Sequence, residues 1–537
     1  MEKYRKNFKQ SNIDLSSRMS EKTPAINSVA VLMICNLMSR LTGFVRDMVM
    51  SYKYGTSDTS DVYYLATNVV TVVFFAISAA ISMAYLPVYS KASAESAKKA
   101  KQFHNTLFTV SLCVSAVFSV LIYVFGREVT WLFAGSFEGE KFDTTVKFIQ
   151  IMALSMLFSC FAQLIGSYLQ YQNRFFFAAI SGGILNLGYI VGVVLSDIYS
   201  KTMLAYSFLA AHVLVAVLLY IYAGKYDFTM KFSLNDRSGY MKQAWVLIVP
   251  IIFGNIAGQF SEAIDKSMAS GLSTGSVSSL NYANKLQVFS IGVFVSSIVT
   301  VSFPKLSKEY SSGNTEKTRT HLKTTILSIA ALSVPIMFGL IVLSSDIVTL
   351  IFGRGEFDAR SAIMTSGALT IYAMGLPGTA LREFFMRALF AMEDTKGPII
   401  MDIIGLGINV VLNYIFIGSM GHLGLALGSS LANIMKSIMM FYLICRKVKG
   451  LVKRDFLLEF VKIMISSMVM LLVLVLVHGG LKKIWYVGVS RLFAVFTVSV
   501  GVSVLVYAVM LYIMGSELFM RMVRWGLGRF GVGDYGV

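Results

Sequence analysis

The chain has 537 residues, 56% of them hydrophobic and only 14% charged, with a mean hydropathy of +0.68. A soluble protein of this length carries closer to about a quarter charged residues, and seven prolines suit long helices better than a loop-rich β architecture. Long apolar runs without dyad alternation exclude a transmembrane β-barrel, so an all-α polytopic membrane protein is expected.

Residues 1–25 are basic and polar, and the apolar stretch after them is too long for a signal-peptide core. A cytoplasmic tail followed by a retained first helix is expected. Fourteen spans follow, near 26–51, 61–89, 106–126, 147–169, 176–196, 203–223, 243–265, 276–303, 324–345, 362–390, 398–417, 424–444, 457–478 and 486–515. They divide into an N-terminal lobe (26–225), a C-terminal lobe (240–447), an extra helix pair (455–515) and an amphipathic cytoplasmic tail (516–537) with Arg521 and Arg524 among apolar residues. The tails and even-numbered connections hold roughly 29 Lys/Arg against about 10 in the others, which puts both termini in the cytoplasm. That topology accounts for the net charge of +18 without a nucleic-acid partner. Cys35, Cys113, Cys160 and Cys445 lie in or beside apolar runs with no metal spacing, and the five histidines are scattered.

The second half echoes the first. The segment from Asp47 to Lys91 lines up with Asp265 to Lys308, with Pro87 and Pro304 at an offset of 217. "WLFAGSFEG" at 131 matches "LIFGRGEFD" at 350, and "SYLQYQNRFFF" near 167 matches "RALFAMEDTKGP" near 387. A near-constant offset across three weak matches marks an internal repeat. Six spans per repeat is even, so the two pseudo-symmetric six-helix lobes enter the membrane in the same direction, related by an axis along its normal. Facing lobes around a central space are the layout of an alternating-access transporter.

Ionisable residues at membrane depth are rare and face a bundle interior or a wet cavity. Here Arg40, Arg46 and Asp47 lie in the first span, Asp61 opens the second, and Glu262, Asp265 and Lys266 end the seventh. Lys285 lies in the eighth, and Arg382, Glu383 and Arg387 in the tenth. Arg40 and Asp47 share a helix face about 10 Å apart along the axis, with Arg46 off that face, so a single ion pair is not expected. Forked arginine donors suit a phosphate or pyrophosphate, which makes Arg40, Arg46 and Lys285 candidate anion ligands. Asp47, Asp61, Glu262 and Asp265 read as gating residues or as helix-end charge partners. Lys266, Arg354, Arg360 and Arg491 near span ends read as snorkelling or solvated. Gly43 lets backbones approach or the helix bend, and Gly375-Leu376-Pro377 reads as a broken helix or hinge.

"SRLTGFVRDMVMSYKYGTSDTSDVYYLA" closely resembles the first-helix signature of the MurJ/MviN lipid II flippases of the multidrug/oligosaccharidyl-lipid/polysaccharide exporter superfamily. "GSVSSLNYANKLQVFSIGVFVSSIVTVSFPKLSK", "FGRGEFDARSA", "ALFAMEDTKGP" and "GHLGLALGSSLANI" match as well, in order, over about residues 26 to 515. The resemblance implies fourteen helices, with the last two forming a lipid-tail groove. It also implies translocation of an undecaprenyl-pyrophosphate-linked disaccharide-pentapeptide to the outer leaflet. Family members use cavity arginines on the first, second and eighth helices. Arg40, Arg46 and Asp61 match the first- and second-helix positions, and Lys285 stands where relatives commonly have arginine. Where some relatives have paired arginines in the second helix, this chain reads "VVTVVFFAI". That part of the anion site is either absent or supplied from elsewhere, with Arg382 and Arg387 the candidates. Some relatives bind sodium in the second lobe; Asn409 and Asn413, one turn apart, offer oxygens but form a poor cation site alone.

A lipid II flippase of the bacterial cytoplasmic membrane is therefore expected, not an enzyme. No cofactor is implied beyond a coupling ion (Na+ or H+) or the membrane potential, since no Walker A motif occurs. Its partners would be lipid II, membrane lipids and the cell-wall synthesis machinery. An exporter of another lipid-linked oligosaccharide is the nearest alternative. A drug exporter fits less well because its cavity should be acidic, and a membrane glycosyl- or acyl-transferase lacks a visible catalytic cluster.

Overall fold

The computed structural model describes residues 22–226, 228–236, 238–484 and 489–521; residues 1–21 and 522–537, the greater part of the predicted tails at 1–25 and 516–537, lie outside them. The described residues form helices, which fall on all fourteen expected stretches. In chain order these are α1 (Lys22–Tyr54), α2 (Asp58–Glu95), α3 (Ala97–Val124), α4 (Gly126–Ala134), α5 (Gly139–Ala153), α6 (Ser155–Tyr171), α7 (Phe175–Ile198) and α8 (Met203–Ala223). They continue as α9 (Met241–Ser270), α10 (Ser276–Phe294), α11 (Ser296–Ser311), α12 (Thr315–Phe352), α13 (Ala359–Met374), α14 (Leu376–Ala391), α15 (Lys396–Met420), α16 (His422–Lys447), α17 (Arg454–Ile484) and α18 (Val489–Ile513).

Three of the expected spans are broken. α5 and α6 meet at Leu154, and α10 and α11 bend by 49°. α13 and α14 are separated at Gly375, and Pro377 in the first turn of α14 lacks only an amide that would have had no helical acceptor. Among the described residues, nine helical stretches are long and apolar enough to cross a membrane, ten with the bent α10–α11 pair. Outside this set, besides the short α4, are α1, α2, α9 and the α13–α14 pair, the helices that carry most of the charges singled out from sequence. The protein is a multi-pass membrane protein.

The repeat is visible in backbone detail. Asn173 and Glu393, 220 residues apart, are the two non-glycine residues with positive φ (59° and 60°) among those described. Each ends a helix in the same way. Asn173 N donates to Gln170 O and Arg174 N to Leu169 O, at 3.0 and 2.8 Å. Glu393 N donates to Phe390 O and Asp394 N to Leu389 O, at 3.0 and 2.9 Å. These paired bonds satisfy the last carbonyls of α6 and α14 through a left-handed cap. After the second cap, Asp394 Oδ1 accepts from Gly397 N at 2.8 Å, and Lys447 lies 3.2 Å from Oδ2. Burial alone would raise the Asp394 carboxyl; the Gly397 amide and the Lys447 ammonium outweigh it and hold the group below its ordinary value.

The chain divides into two compact units, residues 1–50, 66–132 and 138–256 in one and 51–65, 133–137 and 257–537 in the other. The first has a core of Tyr85, Phe103, Leu107, Leu164 and Ile165. In the second, Val299, Leu322, Phe384, Phe385 and Ile444 pack with Ile463 and Leu511 of the terminal helix pair. That pair is fastened to α12 at both ends. Tyr507 Oη donates to Ala331 O at 2.8 Å, while Asp346 meets His478 and Lys482 at 2.6 and 2.7 Å. Elsewhere the pair exposes Leu472, Leu476, Leu505 and Ile513.

Glycine avoids the cost of the left-handed conformation that a long carboxylate side chain incurs. Glu393→Gly should therefore stabilise the protein by about 0.5–1 kcal/mol, whereas Asn173→Gly should be nearly neutral because asparagine tolerates that region. Thermal unfolding of the purified protein in detergent measures both.

Candidate functional site

Sequence-predicted charges fall into three groups. The first is on α1 in the first unit. Arg40 is exposed, and among the described residues it makes no hydrogen bond or ion pair. Arg46 does not stand apart as expected. Its Nε and Nη2 both donate to Oδ1 of the neighbouring Asp47, at 3.0 and 2.8 Å, and Asp47 is 2% exposed. Nη1 reaches Asn186 Oδ1 on α7 at 3.3 Å, and the guanidinium carbon lies 5.8 Å from the Tyr189 ring centre. Side-chain length reconciles this pair with helical geometry, because the arginine stem curls back over the adjacent residue.

Gly43 is not a hinge here, since α1 runs unbroken through it. A methyl group at this position would lie 3.3 Å from Asn186 Nδ2, the amide that also donates to Ser39 O at 3.1 Å. Gly182 faces Ser39 more closely still, with a methyl group there falling 2.2 Å from Ser39 Oγ. Small residues on both helices thus bring α1 and α7 together and seat the amide that holds Arg46.

Asp61 forms the second group, within the second unit. It is 1% exposed and works from α2 as a cap for α10. Oδ2 accepts from Gly275 N at 2.8 Å, and Oδ1 accepts from Ser278 N and Ser278 Oγ at 2.8 and 2.7 Å. Carboxylates are favoured at a helix N-terminus, where amides lack carbonyl partners. Gly275 has φ +92°, and a methyl group there would sit 2.7 Å from Thr56 O, so glycine is required for the approach. Neighbouring bonds extend the contact: Tyr282 Oη donates to Gly55 O at 3.1 Å, Glu356 N to Tyr52 O at 2.9 Å, and Thr56 pairs with Ser361 at 2.7 Å. Asp358, in the "GRGEFD" stretch, caps α13 by accepting from Ser361 N at 2.7 Å, and that bond lowers its carboxyl pKa.

The third group surrounds a cavity of about 290 Å³ in the second unit, lined by residues of α9, α10, α13, α14 and α16. Asp265 accepts from Asn413 Nδ2 at 2.6 Å and from the Ser429 hydroxyl. Asn409 Nδ2 donates to Ser429 Oγ, and Asn409 Oδ1 accepts from Ser261, both at 3.1 Å. Asn409 and Asn413 therefore do not act alone; a carboxylate and two hydroxyls complete their set. Asn413 Oδ1 is buried with no hydrogen-bond partner among the described residues. An orphaned oxygen beside a carboxylate, with amide and hydroxyl oxygens adjoining, fits a monovalent cation better than two amides did.

Arg382 is committed elsewhere. Its Nε and Nη2 form a fork on Asp402 of α15 at 2.9 and 2.8 Å, which closes the donors expected to face an anion. Arg387 is half-exposed and pairs with Glu383 at 3.0 Å. Lys266 does not snorkel: it is 8% exposed, 2.8 Å from Glu262 and 3.4 Å from Asn281 Oδ1. Lys285 is partly buried on α10. Asp402 and Lys436 were not singled out from sequence, although each is a charge inside an expected span, the signal that found the others.

A duplicated, broken-helix membrane fold with charges concentrated on α1, α2, α9 and α14 defines a polytopic transporter. Fold similarity agrees. The chain is similar to a solved structure of a lipid II flippase MurJ in an inward closed conformation, with a TM-score of 0.78, 24% identity, and 92% of this chain and 100% of that one covered. It is similar more distantly to an inward-facing multidrug resistance MATE family transporter of the MOP superfamily, with a TM-score of 0.64, 15% identity, and coverage of 79% and 98%. The chain belongs to the lipid II flippase MurJ family, whose model matches residues 50–495. It is 26% identical over 411 residues to a probable lipid II flippase MurJ of Rickettsia prowazekii (strain Madrid E), covering 75% of this chain and 80% of that one. It is 25% identical over 516 residues to one of Borreliella burgdorferi, covering 93% and 98%.

Removing the Asp61 carboxylate leaves two buried amides unpaired, so Asp61→Ala should cost about 2–3 kcal/mol and Asp61→Asn less, read by thermal unfolding. At the Arg382 fork, Asp402→Ala should cost about 1–3 kcal/mol because it leaves a partly buried guanidinium without its hydrogen-bond partner. The Arg382→Met/Asp402→Leu double variant should recover most of that loss.

Proposed function

We propose that this protein translocates lipid II, the undecaprenyl-pyrophosphate-linked peptidoglycan precursor, from the inner to the outer leaflet of the cytoplasmic membrane by alternating access. Family membership over 50–495 supports the substrate, and the exposed Arg40 on α1 is the observation that carries the binding role. A cation exposed within an expected span has strong reason to meet an anion. Arg40, Arg46 and Lys285 supply the positive charge that the pyrophosphate meets. Arg46 does so while buttressed by Asp47, which holds its guanidinium in place and leaves the Nη1 side shared with Asn186. Arg382 and Arg387 act indirectly, through Asp402 and Glu383. The polyprenyl tail runs along the exposed apolar faces of α17 and α18. Both termini lie in the cytoplasm, as the basic connections require.

Outward movement of the pyrophosphate charges through an inside-negative potential is favourable by about 2.3 kcal/mol per charge per 100 mV. The membrane potential therefore supplies the drive. A coupling cation belongs to the same reading, with Asp265, Asn409, Asn413 and Ser429 as the residues that would hold it. Bound there, it would neutralise a carboxylate otherwise served only by neutral donors.

Complementation of a conditional flippase-deficient cell, scored by growth and by surface exposure of lipid II, tests this. The wild-type gene should restore both, Arg40→Ala and Arg46→Ala should restore neither, and Arg46→Lys should restore growth partly because it keeps the charge but loses the fork. Failure of the wild type at normal expression sinks the substrate assignment. Full activity of both alanine variants sinks the anion role.

A further inference from the structure

Charge in the second-unit cavity is balanced in an unusual way. Its lining residues and their direct partners include three carboxylates, Glu262, Asp265 and Asp402, and three cations, Lys266, Arg382 and Lys436. Glu262 pairs with Lys266 and also feels the charge of Lys285 on α10, and Asp402 pairs with Arg382. Asp265 and Lys436 remain. Asp265 receives only neutral donors, Asn413 and Ser429. Lys436 is 5% exposed and, among the described residues, makes no hydrogen bond or ion pair. A buried ammonium without a counter-charge is costly, so this remainder needs an explanation.

The lysine stem shows where the ammonium lies. A methyl group at Gly405 would sit 2.2 Å from Lys436 Cγ and 2.3 Å from Cε. The stem is therefore laid across Gly405, and the absence of a side chain there makes its channel. On α15, Gly405 shares a face with Asp402 one turn before it and Asn409 one turn after it. The ammonium, one bond beyond Cε, thus lies along the seam that joins the Arg382–Asp402 fork to the Asp265 cluster, and Lys436 and Asp265 line the same cavity.

The internal repeat sharpens the contrast. Asp47 and Asp265 occupy matching positions, 218 residues apart. Asp47 is neutralised by the preceding Arg46; the residue preceding Asp265 is Ile264. The cation that follows Asp265, Lys266, is engaged by Glu262 instead, which leaves the counter-charge to come from another helix.

We propose that Lys436 is the resident cation of this cavity. Its ammonium balances Asp265 across the wet space and competes with any exchangeable monovalent cation for that carboxylate, so Lys436 determines how tightly the second lobe holds such an ion. This deepens the coupling-cation part of the proposed function and rests on that part alone.

Na+ is the probe. The purified full-length protein, without lipid II, is titrated with NaCl against choline chloride at constant ionic strength, and binding is read by thermal stabilisation and by retention of radiolabelled Na+. Because no lipid substrate is present, the outcome is independent of the lipid II assignment. Lys436→Met removes the charge while keeping the stem, and should bind Na+ at least about tenfold more tightly than wild type, as loss of a nearby like charge predicts. Lys436→Arg keeps the charge and should behave as wild type. Adding Asp265→Asn to Lys436→Met should abolish the gained response. The proposal is overturned if Lys436→Met binds within about twofold of wild type or not at all, if Lys436→Arg matches Lys436→Met, or if Asp265→Asn leaves the response intact.

Discussion

Placing a charge where water is scarce costs several kcal/mol unless the protein supplies a partner or a wet space, and the rest of this architecture is arranged around that cost. Arg46 lies against Asp47, Arg382 against Asp402, and Lys266 against Glu262. Asp61 accepts from the amides that open a helix and from a serine hydroxyl. Two of these solutions fix the relation of two elements: α14 to α15 through a fork, and α2 to α10 through a cap. The charges are thus part of the packing as well as part of the chemistry, and a substitution at any of them is felt in both.

The helical spans and the repeat were legible in the sequence because both rest on patterns with long reach. A stretch of about twenty apolar residues is a membrane span in almost any context. A constant offset survives the drift of individual residues, and it reappears here as two left-handed caps at Asn173 and Glu393. Pairing was not legible. Arg46 and Asp47 are sequence neighbours on different helix faces, and only the reach of the arginine side chain makes them a pair. Asp402 is separated from Arg382 by a turn, and nothing in either local pattern says that α14 and α15 bring them together. Gly43 illustrates the same limit, since a glycine that bends a helix and one that admits a neighbour look alike until the neighbour is known.

The two repeats have spent their divergence on how polar groups are buried. At matching positions near the starts of α3 and α12, His104 and His321 each meet a hydroxyl at 2.8 Å, from Tyr85 and Ser302. The same offset of 217 relates both members of the pair. The first repeat surrounds its histidine with Tyr89, Phe108, Tyr168 and Phe228, so aromatic rings fill the space. The second has a hydroxyl in place of the tyrosine ring, with Thr325 on the same serine and Glu309 3.4 Å from the imidazole.

That difference bears on division of labour. An aromatic-filled bundle has few places for an ion or for water, and its interior groups are held by packing. A bundle with a polar cavity keeps several amides and hydroxyls free to exchange partners. In this chain the first unit has a cavity of about 140 Å³ that Gln163, Gln170, Ser181 and His212 help to line, and the larger one of about 290 Å³ lies in the second unit, beside the helix break at Gly375. Tyr372, one turn before that break, lines it; its carbonyl accepts from Gln287 on α10. A change of charge inside the cavity therefore acts directly on the residues that adjoin an interrupted helix, where fewer backbone hydrogen bonds oppose a change of angle. The first unit has the unpaired Arg40 but no described counterpart of the cavity's Asp265–Asn413–Ser429 cluster. The carboxylate–amide–hydroxyl cluster thus lies in one repeat and the exposed Arg40 in the other, a separation that a duplicated fold permits once its halves no longer bury their charges alike.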